Sequence, residues 1–383
     1  MKVGIVVPYS WSYWGGVVEH AHHQAAELRA LGVETRTIVG NDPPGRLTHI
    51  LHPRSGRHDA PPEGVIPVGR SVIVPANDSL PNIVLSPAVL GRLRRVFARE
   101  KFDLLHLHEP MTPAICVATM AIWPCPMVAT YHASGPLGWM KVGLPLWGFL
   151  LDRLDARIAV SERAAASVSA WVPGDYEIIA NGVLIPPECD PGKRENKLLY
   201  IGRHDPRKGL PVLLRAWPEI RERTGATLKV IGADPLSVRL LLARNRLHEE
   251  GLEVPGFVSE EELTRELSTA KALIAPSLGG ESFGMVLTRA FACATPAIAS
   301  DISGYRDVLD ESVGIAVPPG DPAAIVQAAV ELLADEPRRR KMGEAGRRLA
   351  LERYAWPDIA RRLLAVYERV LAQAGAPERA VNG

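Results

Sequence analysis

The sequence predicts an α/β protein made of two parallel-sheet, Rossmann-like domains. Three observations predict it. Short β-rich runs alternate with longer amphipathic runs from Lys2 to Ala180. A stretch rich in proline and polar residues interrupts the pattern over Asn181–Asn196, and a second alternating series starts at Lys197. Strand–helix alternation of this kind builds a parallel sheet with helices on both faces. The chain has 383 residues, which at ~150 residues per domain suits two or three domains, each long enough to bury its own core.

In order, Lys2–Tyr9 reads as the first strand. Gly15-Gly16 makes a turn, and a helix runs from about Val17 to Leu31, stopped by Gly32. Glu34–Val39 is the next strand, while Asn41–Pro75, rich in Gly, Pro, His and Arg, has no clear period. Pro87–Lys101 is helical, Phe102–Glu109 a strand, Pro113–Ile122 a helix and Met127–His132 a strand. Leu137–Leu154 reads as a helix, Arg157–Ser161 as a strand, Arg163–Val172 as a helix and Glu177–Ala180 as a short strand. Leu184-Ile185-Pro186-Pro187 and Asp190-Pro191-Gly192 read as a linker. The second series has strands at Lys197–Gly202, Thr227–Ile231, Leu273–Ala275 and Pro296–Ala299, with helices between them. Two long amphipathic helices, Arg338–Glu352 and Trp356–Leu371, close the chain, and the tail Ala372–Gly383 reads as frayed.

Composition narrows the function classes. Hydrophobic residues are 47% and charged residues 23%, which excludes general disorder. Lys+Arg 44 against Asp+Glu 43 leaves a net charge of +1, which argues against a dedicated nucleic-acid binder. Cys116, Cys125, Cys189 and Cys293 form no Cys-x-x-Cys pair, and read as buried, reduced thiols of a cytoplasmic protein. The apolar run at the N-terminus is too short for a secretory signal. Pro110–Tyr131 carries no Asp, Glu, Lys or Arg but has four prolines, and reads as helix, turn and buried strand rather than a membrane span.

Ligands of open parallel sheets bind beyond the carboxyl ends of the strands, and four segments fall there. Gly15-Gly16, ahead of the first helix, lets backbone approach an anion at a helix N-terminus; the full Gly-x-Gly-x-x-Gly dinucleotide pattern is absent. In Gly202-Arg203-His204-Asp205-Pro206-Arg207-Lys208-Gly209, Arg203 and Lys208 suit a diphosphate, or else form a solvated basic loop. In Ser277 to Leu287, Glu281 suits hydroxyls and the amides of Ser282, Phe283, Gly284 and Met285 suit phosphate; alternatively Glu281 is simply a first-turn acid. The fourth segment is Leu105 to Pro110, with Tyr131-His132-Ala133-Ser134. His106 and His108 share a strand face beside Glu109, but a third metal ligand at suitable spacing is missing, so no metal is assigned. His132 at a strand end suits a substrate hydroxyl, or is a structural histidine.

Together these segments resemble the retaining glycosyltransferases of the GT-B fold. More narrowly, the chain is similar to bacterial phosphatidylinositol alpha-mannosyltransferases that use GDP-mannose. The likeness runs almost end to end, from Pro8-Tyr9-Ser10 and Gly15-Gly16-Val17 to Trp356. It rests on His106-Leu107-His108-Glu109-Pro110, Tyr131-His132-Ala133-Ser134, Gly202-Arg203 to Lys208-Gly209, and Leu278 to Val286.

The resemblance implies an acceptor-binding domain over residues 1–183, a linker at 184–196, a nucleotide-sugar domain over 197–355, and a final helix, within 356–383, that crosses back to the first domain. The two domains would face a cleft that closes about Asn181–Asn196. Gly15 and Gly16 would lie against the donor, with Ser282, Phe283, Gly284 and Met285 holding sugar or phosphate. Arg203 and Lys208 would neutralise the leaving diphosphate, Glu281 would face the sugar hydroxyls, and His132 would contact the sugar. Tyr9, Asn77, Ser79, His108 and Glu109 would serve the acceptor. No tightly bound cofactor is implied, and a divalent metal is not called for by the sequence.

Two positions depart from the family pattern. Arg289 stands where a second Glu would bind ribose hydroxyls, and a guanidinium accepts no hydrogen bond, so no ribose role is carried over. Asn82 replaces an Arg that would bind inositol phosphate. Lipid-modifying relatives attach through a basic amphipathic helix. Here Val89, Leu90, Leu93, Val96 and Phe97 form one face, and Arg92, Arg95 and Arg99 share a basic one, with Arg94 beside it. That pattern suits peripheral attachment to an anionic inner membrane surface, or a core-facing helix with a solvated side. Competing readings are a UDP-sugar transferase with a soluble acceptor, a nucleotide-sugar epimerase and a non-catalytic relative.

Overall fold

Alternating burial along the first strand shows how the first sheet is made. Val3, Ile5 and Val7 enter one core and Val6 enters another, because successive side chains of a strand point to opposite faces. The computed structural model describes the chain apart from residues 14, 53–60, 75–81, 87, 133–143, 191–192, 204 and 376–383. It divides into two compact units, Met1–Gly182 with Trp356–Gly383, and Val183–Ala355.

In the first unit the strands are β1 (Lys2–Ser10), β2 (Glu34–Gly40), β3 (Val65–Gly69), β4 (Ser71–Ile73), β5 (Asn82–Val84), β6 (Leu104–His108), β7 (Met127–Tyr131), β8 (Ala156–Ala159) and β9 (Glu177–Ile178). The parallel order is β3-β2-β1-β6-β7-β8-β9, while β4 and β5 pair antiparallel beside β1. Helices α1 (Gly16–Ala30), α2 (Arg46–Leu51), α3 (Ala88–Glu100), α4 (Ile115–Ile122), α5 (Leu144–Leu151) and α6 (Glu162–Ser169) connect them. β6 and β7 are buried along their whole length, as expected of central parallel strands covered on both faces.

The second unit is a six-stranded sheet in the order β12-β11-β10-β13-β14-β15. Its strands are β10 (Glu195–Ile201), β11 (Thr227–Ile231), β12 (Leu252–Gly256), β13 (Ala270–Ala275), β14 (Ala297–Ser300) and β15 (Gly314–Val317). Its helices are α7 (Leu210–Thr224), α8 (Pro235–Asn245), α9 (Glu260–Thr269), α10 (Met285–Ala292), α11 (Pro322–Ala334) and α12 (Glu336–Arg353). Asp234, Ser259 and Asp321 cap α8, α9 and α11 by accepting first-turn amides. Trp217, Tyr200, Leu198 and Ile274 centre the core. The last helix, α13 (Trp356–Gly375), belongs to the first unit, where Ile359, Leu363, Val366 and Tyr367 join the core of β1 and α1.

Four expectations are revised. The region without a clear period contains α2, β3 and β4, pinned by Asp42, whose carboxylate accepts from Ser10 Oγ and Ser71 Oγ, each at 2.6 Å. The segment read as a linker is fastened to the second unit. Arg194 donates to the carbonyls of Leu267, Ser268, Cys293 and Ala294 at 2.6–3.0 Å, which anchors the chain just before β10. On α3, Val89, Leu93, Val96 and Phe97 are core residues, so the apolar stripe faces inward; Leu90 leaves it and is exposed. Of the helix expected over Leu137–Leu154, Leu144–Leu151 is helical and 133–143 lie outside the described residues. Among the described residues no helix is long and apolar enough to cross a membrane.

Candidate active site

In the second unit the loops after β10 and β13 meet. Gly209 takes φ +70°, and a Cβ there would lie 1.8 Å from the Pro276 carbonyl oxygen, so only glycine allows the two loops to touch. Leu278 N donates to the Arg207 carbonyl at 2.7 Å across the same contact. This approach places Lys208 Nζ 2.6 Å from Glu281 Oε1, although the two are 73 positions apart in the chain. Ser277 Oγ donates to the same oxygen at 3.1 Å and bonds to the buried Tyr305 hydroxyl at 2.8 Å. Gly304 seals the turn, since a Cβ would fall 1.9 Å from the Glu281 carbonyl oxygen. Glu281 is therefore not a first-turn acid: α10 starts at Met285, four positions later, after Gly284 in the left-handed region at φ +81°. Phe283 is buried edge-on against Tyr354. Gly284 has no side chain to cap the helix, so the Met285 and Val286 amides at its start suit an anion, while the Leu287 amide is taken by the Gly284 carbonyl at 2.9 Å. Arg203 is exposed, and Arg207 is held by Asp205 at 2.8 Å. Arg289 donates to both oxygens of Glu260 at 3.1 Å.

In the first unit the ends of β6 and β7 carry a histidine cluster. The rings of His106 and His108 stack 4.7 Å apart. His106 accepts from Gln24 Nε2 at 3.0 Å, lies 2.5 Å from the Tyr367 hydroxyl, and bonds Thr130 Oγ1 at 2.7 Å through its other nitrogen. It is thus a structural pin for α13. His132 Nδ1 donates to Asn181 Oδ1 at 3.1 Å, so its Nε2 accepts from His108 Nδ1 at 2.8 Å. Both nitrogens of His132 are taken. Any further hydrogen-bonding group must displace one of these partners. Glu109, at φ +51°, accepts the His132 backbone amide at 2.7 Å, which places this carboxylate on the strand end.

His20 from α1 completes the cluster. Ring nitrogens of His20, His108 and His132 lie within 4.8 Å of one another, the one such metal-compatible group among the described residues. The group differs from the one the strand spacing suggested: His106 and Glu109 are not in it, and His132 and the helical His20 join His108. As they stand, His108 and His132 are closer than the ~3.3 Å that two ligands ~2.0 Å from a tetrahedral zinc require, and their contact is a hydrogen bond. His108 Nε2 and His20 Nδ1 are buried without partners. Burial, then neighbouring histidines, hold His20 and His108 well below the ordinary imidazole range and His106 down to about 3. Burial also brings His132 to about 4, against the hydrogen bond to Asn181. The cluster is neutral at pH 7.

Gly15 caps α1 with no side-chain hydrogen bond, and Gly16 is exposed at its first position. Burial, then Glu109, raises the Tyr9 hydroxyl. Arg92, Arg94 and Arg95 are exposed, with Arg92 donating to the Val68 carbonyl at 3.1 Å. Asn77 and Ser79 lie outside the described residues. Sequence reasoning missed His20, Asn181, Ser277 and Tyr305. The run His20-Ala21-His22-His23 was a visible signal for the first of these; the others had none.

A family profile described as "Glycosyl transferases group 1" matches residues 185–349, and "Glycosyltransferase Family 4" matches 14–184. The chain is 34% identical over 382 residues to a phosphatidyl-myo-inositol mannosyltransferase from Mycobacterium leprae, covering 97% of each. Among solved structures it resembles a sucrose-phosphate synthase from Thermosynechococcus elongatus, with TM-score 0.72 and 20% identity over 97% of this chain and 99% of that one. It also resembles Anabaena HepE in complex with UDP, with TM-score 0.71 and 16% identity over 96% of this chain and 100% of that one.

Proposed function

The chain belongs to the group 1 glycosyltransferases, and we propose that it moves a mannosyl group from GDP-mannose, with retention, to a lipid-linked acceptor such as phosphatidylinositol. The observation that carries this reading is the Lys208–Glu281 pair, a cation and a carboxylate 2.6 Å apart ahead of the first amides of α10. A nucleoside diphosphate sugar needs both. Lys208, Arg203 and the α10 amides take the diphosphate charge, and Glu281 takes sugar hydroxyls.

In the reaction the bond from the anomeric carbon to the phosphate oxygen breaks, and a bond to the acceptor oxygen forms on the same face. The acceptor proton passes to the departing diphosphate. Arg203 and Lys208 stabilise the charge that develops there, and no side chain needs to act as a base. His132, neutral and tied to Asn181 and His108, positions rather than protonates. The reading places the enzyme on the cytoplasmic face of the membrane, held by the exposed arginines of α3.

Arg289, bound to Glu260 where relatives would hold ribose, favours a second reading: a donor with another base. Calorimetry of the full chain with GDP-mannose, UDP-glucose, GDP and UDP separates the two. The proposal expects guanine-specific binding, weakened ~10–150-fold by Lys208→Met, which removes one charge-assisted contact worth ~1.5–3 kcal/mol. A uridine preference discards the mannose assignment. Failure to bind any nucleotide sugar refutes the reaction.

A further inference from the structure

Three strand-end loops of the second unit meet at the Glu281 carboxylate. The loop after β10 supplies Lys208, and the loop after β13 supplies Ser277 and Glu281 itself. The third, after β14, supplies Tyr305. Its backbone is held in a tight turn, the amide donating to the Ile302 carbonyl at 2.9 Å and the carbonyl accepting from the Leu309 amide at 2.8 Å. Ser277 and Tyr305 are each 1% exposed. The Tyr305 hydroxyl and Ser277 Oγ are 2.8 Å apart, and Ser277 Oγ is 3.1 Å from Glu281 Oε1.

The chemistry of these groups fixes the direction of the chain. A carboxylate paired with an ammonium only accepts, so the single Ser277 proton is committed to Glu281 Oε1. Ser277 then offers lone pairs alone to Tyr305, and the phenol is the donor of that bond. Burial, then the charge of Glu281, raises the Tyr305 hydroxyl well above its ordinary value, so it keeps this proton across the neutral range. The same ring packs on the residue that leads into α10: a Cβ at Gly284 would lie 2.9 Å from Tyr305 Cδ1.

We infer that Ser277 and Tyr305 are positioning residues of the donor site: a directed chain, from the Tyr305 hydroxyl to Ser277 Oγ to Glu281 Oε1, that keeps the carboxylate on the donor sugar once Lys208 is drawn to the diphosphate. The inference rests on the glycosyl-transfer reading, in which Lys208 and Glu281 take different parts of the donor. In the protein as it stands Oε1 accepts from both Lys208 Nζ, at 2.6 Å, and Ser277 Oγ, at 3.1 Å. The two donors differ in freedom. Lysine is a point charge on a flexible stem, and it follows a diphosphate. Ser277 is buried on a loop tied to its neighbours and stays with the carboxylate. Hydrogen bonds in a chain polarise one another, so the phenol strengthens Ser277 as a donor. Neither hydroxyl touches substrate; each acts through Glu281, and Tyr305 acts through Ser277.

The test is calorimetry of the full-length chain with whichever pair the wild type binds, GDP-mannose with GDP or UDP-glucose with UDP. The readout is the ratio of nucleotide-sugar affinity to nucleoside-diphosphate affinity. A merely structural loss weakens both ligands together and leaves this ratio alone. Ser277→Ala removes a hydrogen bond to a charged acceptor and should lower the ratio ~10–100-fold, while Tyr305→Phe keeps the ring, removes one neutral hydrogen bond and should lower it ~3–10-fold. Because Tyr305 acts only through Ser277, the double variant should match Ser277→Ala. Tyr367→Phe, which removes a buried hydroxyl of the first unit, is the control and should leave the ratio unchanged. Tyr305→Phe preserves the packing on Gly284, so it decides the matter if Ser277→Ala does not fold. An unchanged ratio in either single variant, or losses that add in the double variant, overturns the proposal and leaves the glycosyl-transfer reading standing. A wild type that binds neither pair refutes that reading, and this inference with it.

Discussion

Gly209 and Gly225 bracket α7 and have nearly the same backbone conformation, φ +70° and +61°. Alanine at either must enter the left-handed region, at about 1–2 kcal/mol. Their surroundings differ completely. A Cβ at 225 meets nothing within 4 Å, whereas at 209 it would sit 1.8 Å from the Pro276 carbonyl oxygen and 2.7 Å from its carbon. No side-chain rotation relieves a clash with backbone, so the two loops must separate, adding about 1–3 kcal/mol as for other forced overpacking. Gly225→Ala should cost about 1–2 kcal/mol and Gly209→Ala about 2–5 kcal/mol. At roughly 2–4 °C per kcal/mol for a unit of 150–250 residues, the melting shifts are about 2–8 °C and 4–20 °C. Scanning calorimetry of the two full-length variants measures this pair. Separation of the loops also pulls Lys208 from Glu281, so Gly209→Ala should lose donor affinity and Gly225→Ala should not. Equal melting temperatures with equal donor affinity would refute the loop-contact argument.

Three further outcomes follow. The buried histidines are folded-state bases weaker than in the unfolded chain, so the unfolded state binds more protons between about pH 4 and 6.5. Stability is complete above that window and is lost as pH falls through it, by about 1.4 kcal/mol per pH unit for each such histidine, which urea titration at pH 7, 6 and 5 will measure. Tyr367→Phe removes the hydroxyl bonded to His106 and Gln24 and should cost about 1–3 kcal/mol in the same assay, while leaving donor binding unchanged. Arg94→Ser with Arg95→Ser should weaken co-sedimentation with anionic vesicles by roughly 30-fold at low salt, with no effect on neutral vesicles, if the exposed face of α3 meets the membrane.

Much of the fold was legible because parallel strands buried on both faces read as continuous apolar runs. β1, β2, β6, β7, β10, β11 and β14 stand within two residues of their expected ends. β12 and β15 escaped notice. Glu253 and Pro255 break the apolar run of the first, and only four residues form the second. The region holding β3 and β4 failed for a different reason. Its order comes from Asp42 and its serine partners, contacts that periodicity does not register.

The site residues sort the same way. The glycine-rich loops, Lys208 and Glu281 announce themselves, because a backbone that must bend at positive φ selects glycine and an anion selects fixed charge. By itself the sequence determined the alternation of elements, the strand ends where ligands bind, and the charges offered there. Only the tertiary structure decided which of these meet. It set Glu281 on Lys208 across 73 positions and brought His20 from a helix to two strand-end histidines. The physical reason is that parallel strands far apart in the chain end side by side, so contact there depends on strand order and loop packing, which no local pattern encodes.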